Sequence, residues 1–70
     1  MEERLMKAYS LVLIGAEKNV DKTFTTRNAA NQEMYSLIQR YGLKVVKTYN
    51  DKHDKTYICS NGAEFHINRL

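Results

Sequence analysis

The sequence predicts an α+β fold: a small antiparallel sheet in the order β-β-α-β-β-β, with a single helix packed on one face. Three observations carry this prediction. One stretch, Thr26–Gly42, places apolar residues at helical period. The segments on either side of it are rich in β-branched and aromatic residues, as strands are. Asn61-Gly62 separates two of those segments and is the strongest short hairpin signal a sequence can carry. The 70 residues contain no proline, no tryptophan, no internal repeat and no low-complexity run, so residues 1–70 read as one small domain without a linker.

In chain order, Met1–Met6 has no clear period and reads as a frayed start that can extend the first strand. Lys7–Gly15 has Tyr9, Leu11 and Leu13 on one parity and Ala8, Val12 and Ile14 on the other. Apolar residues on both parities predict a central strand covered on both faces. Gly15–Asn19 is a polar turn, and Val20–Thr25, with Asp21 and Lys22, two threonines and Phe24, pairs back as an edge strand. In the helix, Ala30, Met34, Leu37, Ile38 and Tyr41 form one stripe, with Asn31, Gln32, Glu33, Ser36, Gln39 and Arg40 opposite. Thr26 or Asn28 can cap the first turn, Gly42 supplies a left-handed stop, and Arg40 complements the negative end of the dipole. Leu43–Asn50, Lys55–Ser60 and Glu64–Leu70 then read as strands, with a polar turn at Asp51–Asp54.

Size and charge bound the function. A domain this small buries roughly 60% of its unfolded surface, and its core supplies on the order of 3–5 kcal/mol. Little interior is left to hollow into a cofactor pocket, so no cofactor is expected. Activity then belongs on a surface, or the surface is finished by a partner or a second copy, which leaves room for a homodimer. The formal net charge of +3 is spread without runs of like charge, which argues against a basic arm binding nucleic acid by charge alone. A single cysteine, Cys59, excludes an internal disulfide framework and suits a reducing, cytoplasmic setting. The longest apolar run, Leu11–Ile14, is too short to span a bilayer and no signal-peptide pattern precedes it, so no membrane partner is expected.

A two-residue type I′ turn at Asn61-Gly62 would set the register of the last hairpin. Ser60 would then oppose Ala63, Ile58 would face Phe65 and Thr56 would face Ile67 on the core side. Cys59 would face Glu64, Tyr57 would face His66 and Lys55 would face Asn68 on the other side. An odd-length turn before it would add Val46 and Thr48 to the core side and Val45, Lys47 and Tyr49 to the outer one. The expected partner-binding surface is therefore an outer sheet face bearing Lys47, Tyr49, Lys55, Tyr57 and His66. Rings between cations suit a protein interface, since tyrosine joins large apolar area to a polar tip. They also suit base stacking with phosphate contacts. The plainer alternative is that tyrosine and threonine simply favour strands on a solvated face.

The remaining chemistry is sparse. In that register Cys59, Glu64 and His66 share the outer face, which brings together the ingredients of a nucleophile, base and orienter. No motif spacing or oxyanion element accompanies them, and a zinc site would lack ligands, so no catalytic residue and no metal site are expected. Asp51, His53 and Asp54 lack the spacing of a calcium loop and read as turn residues. Asn28 and Asn31 beside Arg27 and Lys22 could hold an anion at the helix start, although capping is the commoner use of such residues.

In style the chain resembles short accessory proteins encoded by phages and other mobile elements. It is a single domain, free of proline and catalytic motifs, and rich in Lys, Asn and Tyr. The likeness is one of overall composition. It implies a protein that modulates a host enzyme, nuclease, polymerase or toxin by binding it, in the cytoplasm of the host cell. The expectation is thus a non-enzymatic protein-binding modulator, with a protein partner of unspecified identity. A nucleic-acid-binding module using the tyrosine and lysine face is the alternative, and an enzyme comes third.

Overall fold

A computed structural model of the protein describes residues 8–70. The expectation for Met1–Met6 lies outside those residues. The elements are β1 (Tyr9–Ile14), β2 (Val20–Phe24), α1 (Arg27–Tyr41), β3 (Val45–Asn50), β4 (Asp54–Cys59) and β5 (Glu64–Arg69), the predicted β-β-α-β-β-β order. The five strands form one antiparallel sheet in the spatial order β2-β1-β5-β4-β3. β2 and β3 are thus opposite edges, and the helix that joins them must cross the sheet between the two.

The helix starts and stops where its caps dictate. Thr26 is extended (φ −131°, ψ 153°) and its side chain accepts a hydrogen bond from the Ala29 N–H at 3.1 Å. Gly42 is left-handed (φ 63°, ψ 38°), and the Leu43 N–H reaches back to the Ile38 carbonyl at 2.9 Å. Ala30, Met34 and Leu37 are buried against Leu11 and Leu13 of β1 and Phe65 and Ile67 of β5, with Cys59 and Ala63 completing the core. Fully burying each large apolar side chain is worth about 1.5–3 kcal/mol. Their number is what lets so short a chain offset its conformational entropy.

The helix lies over β1 and β2. β1 is one strand in from the edge, and its expected cover is present on one face only: among the described residues nothing packs over Val12 and Ile14. The helix-bearing side of β3 is likewise left mostly uncovered, with five of its six residues exposed, whereas on β4 Cys59 is buried in the core and Tyr57 packs half-buried beside it.

The last hairpin differs from the expected register by one residue. Asn61 is not in a left-handed conformation; Gly62 alone is, at φ 91°. The Gly62 N–H donates to the Cys59 carbonyl at 3.0 Å, and the Cys59 N–H donates to the Ala63 carbonyl at 2.8 Å. The loop is therefore the three residues Ser60, Asn61 and Gly62, a right-handed turn followed by a left-handed glycine, rather than a type I′ pair. Asn61 Oδ1 accepts from the Ala63 N–H at 3.0 Å and holds that shape. Tyr57 consequently opposes Phe65, Thr56 opposes His66 and Ile58 opposes Glu64. Because side chains alternate, this single step turns Tyr57, Lys55 and Cys59 toward the helix and Ile58 and Thr56 away from it.

The β3–β4 turn also differs. The Asp51 N–H donates to the Asp54 carbonyl at 2.8 Å, leaving Lys52 and His53 at the tip, an even rather than an odd loop. Lys47 then lies opposite Ile58 and Tyr49 opposite Thr56. The two one-residue differences cancel for Lys47 and Tyr49, which stay on the outer face. A bulge between Val45 and Lys47 leaves Val46 exposed rather than in the core and pairs Val45 with Cys59 on the helix-bearing side. Thr48 faces the helix-bearing side as expected, but at an uncovered edge.

Two stability outcomes follow. Leu37→Ala should cost about 2–5 kcal/mol, as for other buried leucines, and nearly unfold the domain in urea titration; a change under about 0.5 kcal/mol would show that the stripe does not form the core. Gly62→Ala should cost about 1–2 kcal/mol, because a Cβ at positive φ is strained. Nothing lies within 4 Å of that Cβ, so strain alone sets the loss. An unchanged urea midpoint would contradict the turn described above.

Candidate functional site

Among the described residues the sheet presents two surfaces that the helix does not cover. The first is the back face, opposite the helix. One row across it runs Asp21, Val12, His66, Thr56 and Tyr49, and the next runs Ile14, Glu64, Ile58 and Lys47. Tyr49 is 53% exposed, and the Lys47 ammonium stands 5.6 Å from its ring centroid. At the middle of the face His66 bridges two strands: its Nδ1 lies 3.3 Å from Thr56 Oγ1 and its Nε2 lies 2.9 Å from Glu64 Oε1. This network ties β4 to β5 and fixes the imidazole between Val12 and Thr56.

Of the five residues expected on one face, the structure brings together Lys47, Tyr49 and His66. Lys55 and Tyr57 are corrected to the other side of the sheet, for the reason of register given above. They belong to the second surface, a shelf formed by the helix-bearing sides of β3 and β4 and flanked by α1. Tyr57 is half-buried beside the core, and burial raises its phenol above the usual range, with Tyr35 adding to the effect and Arg27 opposing it. Arg27, Asn31 and Tyr35, spaced four residues apart, run down the helix flank that borders this shelf. The Arg27 guanidinium lies 5.2 Å from the Tyr9 ring centroid, and Tyr35 is 59% exposed. Asn31 Oδ1 is buried and has no hydrogen-bond partner among the described residues. Sequence reasoning missed Tyr35, Val12 and Ile58 as surface-forming residues and named Arg27 only for an anion at the helix start. The helical spacing of Arg27 and Tyr35 was visible, but only the register shows which strand residues they accompany.

The expected grouping of Cys59 with Glu64 and His66 is not formed. Cys59 points into the core and is buried, with its thiol pushed up by that burial, whereas Glu64 and His66 lie on the back face. The hydroxyl beside the imidazole belongs to Thr56. The strand N–H groups around it are engaged in the sheet, so no preorganised donor pair faces it. Among the described residues there is no pocket, and no group of three His, Cys, Asp or Glu side chains is placed to hold a metal ion. The anion site considered at the helix start is not assembled either. Lys22 donates to Glu33 at 2.8 Å, and Thr26 rather than Asn28 caps the first turn. No helix of the described residues is long and apolar enough to cross a membrane.

The raised Cys59 and Tyr57 groups have a consequence for stability. The folded state holds both protons more tightly than the unfolded chain does, so their contribution is full below the ordinary values and is lost as pH rises. An ordinary thiol ionises near ~8.5 and a phenol near ~10. The urea midpoint should therefore decline above about pH 8.5. Cys59→Ala should remove the earliest part of that decline. A wild-type midpoint that rises across this range would contradict the buried placement of Cys59.

Comparison of the chain with protein-family models, with curated proteins and with solved structures returns no match in any of the three.

Proposed function

We propose that the protein is a small non-enzymatic protein-binding modulator that docks through the back face of its sheet. One observation carries this reading: a five-stranded sheet has a helix on one side, and the opposite side presents Val12, Ile14, Ile58 and Tyr49 with nothing of the described chain over them. Apolar and aromatic groups set among polar ones, with Lys47 and the His66 network at hand for hydrogen bonding, match the make-up of protein interfaces. The charge on this face favours protein over nucleic acid. Asp21, Asp54 and Glu64 all lie on it, against Lys47 as its one strand lysine, and three carboxylates repel a phosphate backbone. The compositional likeness to accessory proteins of mobile elements supports an inhibitor or modulator of a host enzyme, nuclease, polymerase or toxin as the finer form of the same reading.

Affinity capture from a candidate host lysate, with nuclease treatment, followed by titration of the captured protein, tests this. Tyr49→Ala should weaken that binding by about 2 kcal/mol, roughly 30-fold, as loss of an aromatic anchor does. The Tyr49→Ala/Ile58→Ala pair should abolish capture while the circular dichroism spectrum stays that of the wild type. Undiminished binding by the folded double variant would refute the back face as the docking surface.

A further inference from the structure

The charges of the sheet are sorted by face. The strand carboxylates Asp21, Asp54 and Glu64 all lie on the back, while Lys22, Lys55 and Arg69 lie on the helix-bearing side. Lys22 is taken up by Glu33. Lys55 and Arg69, together with Arg27 of the helix, have no carboxylate partner among the described residues. These three cations are neighbours. Arg69 pairs with Tyr9, whose ring lies under Arg27, and Lys55 pairs with Ile67, two residues before Arg69 on the same face. Tyr57 adjoins Lys55 on that face, beside the helix flank that carries Arg27 and Tyr35. Among the described residues the result is a shelf with three cations, three tyrosines and no acidic side chain, on the helix-bearing side of the sheet next to the exposed edge strand β3.

We propose that this shelf is a second binding site, for single-stranded nucleic acid, with Arg27, Lys55 and Arg69 meeting phosphates and Tyr35 and Tyr57 stacking on bases. The cations match a polyanion, and among the described residues no acidic side chain lies beside them. An acidic peptide would use the cations alone. The exposed ring of Tyr35 and the half-buried ring of Tyr57 beside it are what a base requires in addition, since every base has a face on which a ring can stack. The site is separate from the back face, and the two do not share a residue.

Fluorescence anisotropy with labelled oligothymidylate and oligouridylate of about 12 nucleotides, within the range one small domain covers, tests the proposal. Three engaged cations give a slope of log K against log salt of about −2, so affinity should fall about 20-fold between about 50 mM and about 200 mM salt. Lys55→Glu/Arg69→Glu should weaken binding at least about tenfold at low salt and flatten the slope to about −0.7. Tyr35→Ala, at an exposed position where folding is not at stake, should cost about tenfold and leave the slope unchanged. Lys47→Ala, on the back face, should change affinity less than about twofold. Absence of binding at about 50 mM salt would overturn the proposal, as would an equal loss from Lys47→Ala. Equal competition by polyglutamate, with Tyr35→Ala silent, would also overturn it and mark the shelf as a site for acidic peptides.

Discussion

A mismatch of widths governs this structure. A helix with its side chains is about 10–12 Å across, whereas five strands about 4.8 Å apart place the edge strands about 19 Å from each other. One helix therefore cannot cover even one face of the sheet. The helix settles over β1 and β2, where Leu11 and Leu13 meet Ala30, Met34 and Leu37, and Phe65 and Ile67 close the core from β5. Among the described residues, what lies beyond that contact is left to solvent or to a partner: the back face, and most of the helix-bearing side of β3.

The residues on the two uncovered surfaces suit different ligands. The back face sets Val12, Ile58 and Ile14 around an imidazole held by Thr56 and Glu64, and its strand charges are mostly acidic. The shelf is basic and aromatic. Between them runs β3, an edge with unpaired backbone groups that invite pairing with another chain. The bulge at Val46 and the charge of Lys47 interrupt that edge. This favours binding through the faces over extension of the sheet.

Much of the fold was legible in the sequence because each signal was local. The Ala30-to-Tyr41 stripe, the Thr26 cap and the Gly42 stop all act within one helix, and the alternation in each strand is read over a few residues. The faces were less legible because they depend on parity, and parity depends on single loop residues. Asn61-Gly62 is compatible with a two-residue turn, yet Asn61 spends its side chain on the Ala63 N–H and stays right-handed, which brings Ser60 into the loop. That one residue moved Tyr57, Lys55 and Cys59 across the sheet and separated Cys59 from His66. The bulge at Val46 had no sequence signal, since neither glycine nor proline marks it. Lys47 and Tyr49 kept their expected face only because the even β3–β4 loop offset the slip in the last hairpin.

The register of β4 against β5 is thus the claim on which both surfaces rest, and nuclear Overhauser contacts between α-protons test it directly. Close α-proton contacts mark the non-hydrogen-bonded pairs of an antiparallel ladder. With Cys59 and Ala63 joined by the hydrogen bond that closes the loop, those pairs are Ile58 with Glu64 and Thr56 with His66. Strong cross-peaks for these two pairs are the predicted result. Cross-peaks for Cys59 with Glu64 and Tyr57 with His66 would contradict it, and would return Lys55 and Tyr57 to the face that carries His66.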